Sequence, residues 1–281
     1  MASVLWAGGR LRDPGEPVVA GTDPGVATGL GLFETCAVLG GRAFALTRHL
    51  ARLAASAAAL GLPAVDDAEV RAAVAAVLAA GGPEVGRLRI TVTPGAADPG
   101  EPARPVLVVS AGPAPVRGPA HVVRSPWVRN ERSPLAGHKS TSYAADVLAL
   151  AAATRAGGNE ALLANTRGAL CEGATSNVLV ERGGELLTPA LSSGCLPGVT
   201  RALALAWAAD AGLPVREAGP EELPWSVVED ARDGAAGLAL AGSLRGVVGV
   251  EAVEGTPTPV GPLTAEVARL FRARAADDLD P

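Results

Sequence analysis

Residues 111–120, AGPAPVRGPA, separate two long stretches of regular hydrophobic pattern. Five of these ten residues are proline or glycine, and neither a helical nor a strand period runs through them. Such a composition is typical of a linker between folded parts. The sequence therefore predicts two domains, a first domain over residues 1–115 and a second over residues 116–281.

The stretch before this linker predicts an alternation of strands and helices. GLGLFETCAVLGGRAFAL (residues 29–46) predicts two strands joined at Gly40-Gly41, because a glycine pair is a strong hairpin signal. Thr47 is the predicted N-cap of a helix that ends at Gly61. Further along, the patterns predict a helix over 67–80 and strands within 86–95 and 104–112, which flank a loop over 94–105.

The stretch after the linker continues this alternation. A helix that opens at Pro197-Gly198 has the clearest boundary, since a proline near the first turn is a helix-start signal. The other predicted elements are helices over 140–156, 221–233 and 262–275, and strands over 160–165, 168–180 and within 237–255. Together the two stretches predict an α+β protein.

Composition argues against several classes of protein. The 281 residues carry a formal net charge of −5 and only 3% aromatic residues, so we expect no nucleic-acid partner. No apolar run reaches the ~18 residues that a membrane span needs, and Met1 is not followed by a basic region and an apolar secretion signal. We therefore expect a cytoplasmic protein with no membrane partner. The cysteines, histidines and acidic residues show no metal-ligand spacing, so we expect no metal site.

Lysine occurs once in this chain, at position 139, although lysine and arginine together number 24. A surface lysine tolerates exchange for arginine, but arginine does not readily lose its proton and lysine does. The retained amine therefore indicates chemistry that a guanidinium cannot perform, such as nucleophilic attack on a carbonyl. From the count alone, a surface lysine that survived by chance is the other interpretation.

Three further features that could bind a cofactor follow Lys139 along the chain. They are Glu172 at a predicted strand end, Val199-Thr200 at the helix start within GCLPGVTRAL (194–203), and Ser243 within AGSLRGV (241–247). Pyridoxal 5'-phosphate needs an amine for its aldehyde, an anion beside its pyridine nitrogen and hydrogen-bond donors for its phosphate. Lys139, Glu172 and the helix start supply these groups in turn, so the sequence predicts a pyridoxal-phosphate enzyme.

The same motifs carry a resemblance to a known family that spans most of the chain, from GLFET near residue 31 to SLRGV near residue 247. HLARL (49–53), EGATSNVLV (172–180) and CLPGVTR (195–201) resemble segments of the class IV aminotransferases, the fold-type IV pyridoxal-phosphate enzymes. The resemblance implies a two-domain α+β fold, with a small N-terminal α/β domain and a larger C-terminal domain that has a β-barrel-like core. It also implies a small-molecule substrate and a homodimer.

The resemblance implies roles for individual residues as well. The expected cofactor-binding residues are Lys139, Arg52, Glu172, Val199, Thr200 and Ser243. The expected catalytic residues are Lys139, as cofactor ligand and proton shuttle, and Thr35, whose hydroxyl would assist a leaving group. The candidates for binding a dianionic substrate are Arg89, Arg129 and Asn130. The sequence leaves open that Thr35 packs in a strand and that each arginine forms a surface ion pair.

Local features favour one branch of this family. RNERSPLAGHKSTSY (129–143) and SLRGV (243–247) are similar to segments of 4-amino-4-deoxychorismate lyases, and Pro94 stands where D-amino acid aminotransferases carry an arginine. We therefore expect a lyase of folate biosynthesis that converts 4-amino-4-deoxychorismate to 4-aminobenzoate and pyruvate. The residues before Ser243, and Asp146 where asparagine is common, depart from this pattern. A branched-chain or D-amino acid transaminase and a non-catalytic protein with the family fold therefore stay open.

Overall fold

The computed structural model describes residues 3–96 and 104–281, and the chain forms two compact units. The first unit comprises Met1–Val116, His138–Tyr143 and Asp278–Pro281, and the second comprises Arg117–Gly137 and Ala144–Asp277. The two predicted domains follow chain order, whereas the units do not, because the short segment that carries Lys139 groups with the first unit. Most of the predicted loop over 94–105 lies outside the described residues.

The first unit contains a six-stranded sheet in which every neighbouring pair is antiparallel, in the order β2-β1-β6-β5-β3-β4. Its strands are β1 (Val4–Ala7), β2 (Arg10–Arg12), β3 (Leu32–Leu39), β4 (Arg42–Ala43), β5 (Arg87–Thr93) and β6 (Val106–Gly112). Its helices are α1 (Pro24–Ala27), α2 (Leu46–Ala59) and α3 (Asp67–Gly81).

The alternation of side chains along β3 gives this sheet two different faces. Leu32, Cys36 and Val38 point to a hydrophobic core that also contains Leu50 and Leu53 of α2. Each leucine buried in this way stabilises the fold by roughly 1.5–3 kcal/mol. The intervening residues of β3 lie on the opposite face of the sheet, which is therefore available for polar and charged side chains.

The predicted hairpin at Gly40-Gly41 is confirmed. Val38 pairs with Ala43 and Leu39 pairs with Arg42, so two residues connect the strands. Both glycines have positive φ, 55° and 77°, which a two-residue turn of this kind requires at both central positions. Only glycine adopts such angles without strain, so the local sequence determines this turn.

The prediction that Thr47 caps α2 is wrong. The helix begins at Leu46, after Ala45 in the left-handed region (φ 53°), and no side chain within the helix caps it. Instead the Asp280 carboxylate accepts hydrogen bonds from the Thr47 backbone N–H at 2.8 Å and from its hydroxyl at 2.6 Å. Because this cap comes from a residue 233 positions away, no local pattern could have shown it.

The second unit contains a nine-stranded mixed sheet in the order β12-β11-β10-β13-β14-β7-β8-β9, with β15 also paired to β14. Its strands are β7 (Ala120–Arg124), β8 (Glu160–Ala164), β9 (Leu170–Gly173), β10 (Asn177–Arg182), β11 (Glu185–Thr188), β12 (Val215–Glu217), β13 (Gly237–Gly242), β14 (Gly246–Val253) and β15 (Thr256–Pro257). Its helices are α4 (Ala144–Arg155), α5 (Val199–Asp210), α6 (Val227–Arg232) and α7 (Pro262–Asp277). The predicted α+β class is confirmed.

The helix predicted over 140–156 begins only at Ala144. Its first predicted residues pair with the first unit instead, since Ser140 forms a β-bridge with Leu32 and the Thr141 N–H donates to the Gly31 carbonyl at 2.9 Å. The alanine-rich pattern could not show this pairing, because the partner strand lies more than a hundred residues earlier in the chain.

Two further boundaries differ from the prediction. The strand predicted over 168–180 is divided into β9 and β10 by a turn in which the Gly173 N–H donates to the Ser176 carbonyl at 2.8 Å. The helix predicted over 221–233 is confined to α6. Before this helix starts, the Trp225 backbone N–H donates to the Gly168 carbonyl at 2.9 Å instead of to a helical partner. In both cases a local turn or a distant backbone partner overrides the periodicity.

No helix in residues 3–96 and 104–281 combines the length and the apolar character that crossing a lipid bilayer requires.

Candidate active site

Lys139 lies beside strand β3 of the first unit. The Phe33 N–H donates to the Lys139 carbonyl at 2.9 Å, and the next residue, Ser140, forms the bridge with Leu32. The Lys139 Nζ lies 4.6 Å from the ring centroid of Phe33 and 5.9 Å from that of Tyr143. A cation near the face of an aromatic ring is attracted by the ring's charge distribution. These contacts hold the half-buried amine against two rings and argue against a solvated surface lysine.

Thr35 and Arg89 are neighbours on the sheet face that lies opposite α2 and α3. In the ladder between β3 and β5, Thr35 pairs with Arg89 and Phe33 pairs with Thr91. The guanidinium carbon of Arg89 lies 3.9 Å from the ring centroid of Phe33, and its Nε donates to Thr91 Oγ1 at 3.3 Å. Two cations, Arg89 and Lys139, therefore contact the same ring, and a hydroxyl lies on the same face.

Arg89 carries a charge that the described residues do not neutralise by a salt bridge. Its contacts are the Phe33 ring and the Thr91 hydroxyl. Burial lowers the pKa of Arg89, and the positive charge of nearby Arg87 lowers it further. A half-buried guanidinium in this situation favours a carboxylate or phosphate as its partner. This face of the first unit is therefore suited to bind an anion.

Arg52 is held by a buried carboxylate of the first unit. Its Nε and Nη2 donate to the Glu34 carboxylate at 2.8 and 2.6 Å, and His49 Nδ1 lies 2.7 Å from the same group. Burial would raise the pKa of Glu34, but the Arg52 charge and the hydrogen bonds from Arg52 and His49 outweigh burial and lower it to about 2. Arg52 is therefore a fixed, paired arginine, and its contact with a phosphate stays a prediction.

Glu172 is a buried carboxylate of the second unit that also pairs with an arginine. Its Oε2 accepts a hydrogen bond from the Leu196 N–H at 2.9 Å, and its Oε1 lies 3.1 Å from Arg129 Nε. The Arg129 Nη2 donates to the Asp146 carboxylate at 2.5 Å. Burial lowers the pKa of the Arg129 guanidinium, but the charges of Glu172 and Asp146 outweigh burial and raise it. Two buried carboxylates thus share one arginine.

The start of α5 provides backbone donors for an anion. Val199 and Thr200 are buried in the first turn, Gly198 offers no side-chain cap, and the first turn contains no acidic residue. The N–H groups at such a helix start and the positive end of the helix dipole favour a phosphate. A Cβ at position 198 would lie 1.9 Å from Asn177 Oδ1, so the close approach here requires glycine.

Ser243 lies at the same end of the nine-stranded sheet as the start of β10. It follows β13 in the turn to β14, and Ala241 of β13 pairs with Asn177 of β10. The Asn177 Nδ2 in turn donates to the Leu196 carbonyl at 2.8 Å, two residues before Gly198. The structure therefore brings Glu172, the start of α5 and the turn that contains Ser243 to one end of this sheet.

Two of the predicted substrate-binding residues have local partners in the second unit. Arg129 contacts the carboxylates of Glu172 and Asp146, and the exposed Asn130 accepts a hydrogen bond from the Arg132 N–H at 2.9 Å. The Asn130 side chain thus stabilises a turn after Arg129. The assignment of these two residues to a substrate stays a prediction.

Several residues that organise these groups have no role among those expected from the sequence. Glu34 holds Arg52, Phe33 contacts both cations, and Asn177 fixes the turn before α5. Glu34 and Phe33 lie in the GLFET segment and Asn177 in EGATSNVLV, so both motifs contained the signal. Asp146 departs from the family pattern, and no spacing signal links it to its partner Arg129, which lies 17 positions earlier.

The remaining reactive groups do not form a competing site among the described residues. No group of three histidine, cysteine, aspartate or glutamate side chains in residues 3–96 and 104–281 could hold a metal ion. The three cysteines are free and buried. Burial raises the pKa of Cys36 and Cys171, and it raises that of Cys195 to about 11, so these thiols are poor nucleophiles near neutral pH.

Comparison with known proteins shows what this chain is similar to. The family model for amino-transferase class IV matches residues 31–253. The chain is 30% identical over 218 residues to a bifunctional aminodeoxychorismate lyase / D-amino acid transaminase of Mycobacterium tuberculosis, which covers 70% of this chain and 75% of that protein. The match to a probable branched-chain-amino-acid aminotransferase of Synechocystis is shorter, 41% identical over 92 residues and 30% of that protein's length.

Two solved structures share the fold along nearly the whole chain. A hypothetical aminotransferase of Mycobacterium tuberculosis in its PLP-bound form has a TM-score of 0.84 at 26% identity, and covers 99% of this chain and 100% of that chain. The 4-amino-4-deoxychorismate lyase of Pseudomonas aeruginosa has a TM-score of 0.80 at 30% identity with the same coverage. The predicted fold type is therefore confirmed.

The Glu34 cluster predicts a specific dependence of stability on pH. Because the folded pKa of Glu34 is below its ordinary value of 4.5, its contribution is present above pH 4.5 and is lost as the pH falls toward 2. From pH 6 to pH 3, the free energy of unfolding should fall by about 2 kcal/mol more in the parent protein than in Glu34→Gln. Urea unfolding at each pH measures this difference.

Glu84→Gln is the control, because Glu84 is an exposed glutamate of the same unit. Its unfolding free energy should follow that of the parent protein at every pH. If the parent protein and Glu34→Gln lost stability in parallel between pH 6 and pH 3, the buried pairing of Glu34 would be disproved.

Proposed function

Since the chain belongs to the class IV aminotransferase family, whose cofactor is pyridoxal 5'-phosphate, we propose that it is a 4-amino-4-deoxychorismate lyase that forms 4-aminobenzoate and pyruvate. One observation carries the proposal. Thr35 and Arg89 are opposite one another on the face where the Lys139 amine lies over Phe33. An amine, a cation and a hydroxyl are the groups needed to remove a proton, bind a carboxylate and assist a leaving oxygen.

The residues present fit the cofactor. Glu172 is a buried carboxylate that can lie beside the pyridine nitrogen, and the uncapped start of α5 offers Val199 and Thr200 N–H groups to the phosphate. Arg52 and Ser243 are the proposed further phosphate ligands, and Lys139 Nζ is the amine that holds the aldehyde carbon covalently. When bound, the cofactor supplies a protonated ring that withdraws electrons from the carbon that loses its proton.

The chain's own residues then carry the proposed reaction. With the substrate bound, the Lys139 Nζ would act as the general base that removes the proton from the amine-bearing ring carbon. Thr35 Oγ1 would donate a hydrogen bond to the enolpyruvyl oxygen as the bond to the ring breaks, and Arg89 would bind a substrate carboxylate. The departing enolpyruvate takes up one proton, which balances the proton removed from the ring, and becomes pyruvate. Aromatisation of the ring makes this elimination strongly favourable, so the reaction needs no keto acid as a second substrate.

A transaminase is the second candidate for this site. The Mycobacterium tuberculosis relative is a D-amino acid transaminase as well as a lyase by its description, and the Synechocystis relative is described as a branched-chain enzyme. Both activities use the same cofactor groups and differ in what happens after proton removal. Pro94, which stands where an arginine grips the substrate in the D-specific branch, favours the lyase over that branch. The homodimer implied by the family resemblance stays a prediction for either activity.

The decisive assay compares product formation with and without an added keto acid. A preparation that carries the cofactor's visible absorbance should release 4-aminobenzoate and pyruvate from 4-amino-4-deoxychorismate in equal amounts, at a rate that an added keto acid does not change. Liquid chromatography and a coupled pyruvate assay measure the two products.

Turnover of amino acids only in the presence of a keto acid, without release of 4-aminobenzoate, would establish the transaminase instead. A folded preparation that neither binds the cofactor nor turns over either substrate would support a non-catalytic protein. Parent protein and Lys139→Arg are compared in every arm, because the arginine keeps the charge but cannot act as the amine.

Arg89 gives a test of how the substrate is bound. Arg89→Leu removes a charge-assisted hydrogen bond worth roughly 1.5–3 kcal/mol, so kcat/KM for 4-amino-4-deoxychorismate should fall by about 10- to 100-fold, mainly through KM. Arg87→Leu is the matched control, since Arg87 is an exposed arginine two residues earlier on the same strand. Equal effects of the two substitutions on KM would contradict the assignment of Arg89.

A further inference from the structure

Asp146 is a buried carboxylate of the second unit that the proposed reaction does not use directly. It lies in the first turn of α4, is 3% exposed, and accepts a hydrogen bond from Arg129 Nη2. The other side of the same guanidinium faces Glu172 Oε1 at 3.1 Å. We infer that Asp146 is a positioning residue that holds Arg129 and sets the net charge of the group that faces the cofactor's pyridine nitrogen.

Backbone hydrogen bonds support two of these three side chains, those of Arg129 and Glu172. The backbone N–H of Arg129 donates to the Ala164 carbonyl at 2.8 Å, so the loop that carries Arg129 is hydrogen-bonded to the end of β8. Glu172 is fixed by the Leu196 N–H. Buried ion pairs with such geometry do not rearrange easily, because a carboxylate that loses its partner is left desolvated and unpaired.

The net charge of these three groups determines how strongly they favour a protonated pyridine nitrogen. Glu172 and Asp146 contribute two negative charges and Arg129 one positive charge, so the cluster carries a net charge of −1. A protonated pyridine nitrogen is stabilised by a net negative charge nearby. If Asp146 were neutral, Arg129 would cancel the charge of Glu172 and the cluster would no longer favour the proton.

This inference deepens the proposed cofactor site and rests on the assignment of Glu172 to the pyridine nitrogen. It does not depend on whether the enzyme is a lyase or a transaminase, since both reactions use the protonated ring. It gives a physical role to the aspartate at position 146, where the neutral, equally shaped asparagine would make the same hydrogen bond without the charge.

The test measures the protonation of the pyridine nitrogen directly. The holoenzyme is loaded with pyridoxal 5'-phosphate labelled with ¹⁵N in the ring, and its ¹⁵N chemical shift is recorded at one fixed pH. In Asp146→Asn the signal should move toward the unprotonated value, by an amount that corresponds to roughly a tenfold lower proton affinity. In Glu172→Gln the signal should move further in the same direction.

A double substitution separates charge from structure. Arg129→Gln with Asp146→Asn leaves only Glu172 charged, so the net charge returns to −1 and the ¹⁵N signal should return close to its value in the parent protein. A merely structural role of Asp146 predicts the opposite, because removing both partners cannot restore the position of Glu172. Asp210→Asn is the matched control and should leave the signal unchanged, since Asp210 also pairs with an arginine, Arg274, but at an exposed site.

The outcomes distinguish this inference from the cofactor assignment. If the signal responded to Glu172→Gln but not to Asp146→Asn, or if the double substitution failed to restore it, the role of Asp146 would be refuted while Glu172 kept its assignment. If neither Glu172→Gln nor Asp146→Asn moved the signal, the placement of the cofactor against Glu172 would itself be wrong. Circular dichroism of each variant establishes that it is folded.

Discussion

A carboxylate that leaves water must be paired, and this constraint organises candidate site residues within each of the two units. Removing an ion from water costs several kcal/mol even after relaxation, and only good pairing geometry recovers that cost. In the first unit, Glu34 on β3 is paired by Arg52 and His49. In the second unit, Glu172 on β9 is paired by Arg129 and the Leu196 N–H. Each pair fixes one arginine and one carboxylate, and the proposed cofactor site includes Arg52 from the first pair and Glu172 from the second.

The two pairs differ in how their charges balance. At Glu34 the carboxylate is fully engaged by its own neighbours, which suits a structural support for Arg52. At Glu172 a second carboxylate, Asp146, takes part of the arginine's charge, so a negative charge is left over. A surplus of this kind suits a carboxylate that faces a cationic partner from outside the chain. A buried carboxylate–arginine pair therefore holds Arg52 in place in the first unit, and in the second unit it leaves Glu172 in a cluster of net negative charge.

Short-range sequence signals predict some features of the fold and of the candidate site, and they contain no information on others. The turn at Gly40-Gly41 and the start of α5 at Gly198 depend on residues that are adjacent in the chain, and both could be predicted. The reactive role proposed for Lys139 rests on its being the single lysine together with the motifs around it. These features need no knowledge of distant contacts.

Long-range pairing accounts for the features that the sequence did not reveal. The cap of α2 comes from Asp280, and the late start of α4 follows from the pairing of Ser140 with Leu32. Side-chain networks such as the one around Asp146 join residues from three segments, and no period or spacing encodes them. The substrate is difficult to predict for the same reason, because Thr35 and Arg89 become neighbours only when β3 pairs with β5.

In the proposed function, the Lys139 amine binds the cofactor aldehyde covalently. Borohydride reduction of the cofactor-loaded protein makes this bond permanent, and mass spectrometry of the digested chain then locates it. We expect the added mass on the peptide that contains residue 139, and we expect none when Lys139→Arg is treated in the same way. Added mass on a different peptide, or none on a protein that retains the cofactor, would show that Lys139 is not the amine that binds the aldehyde.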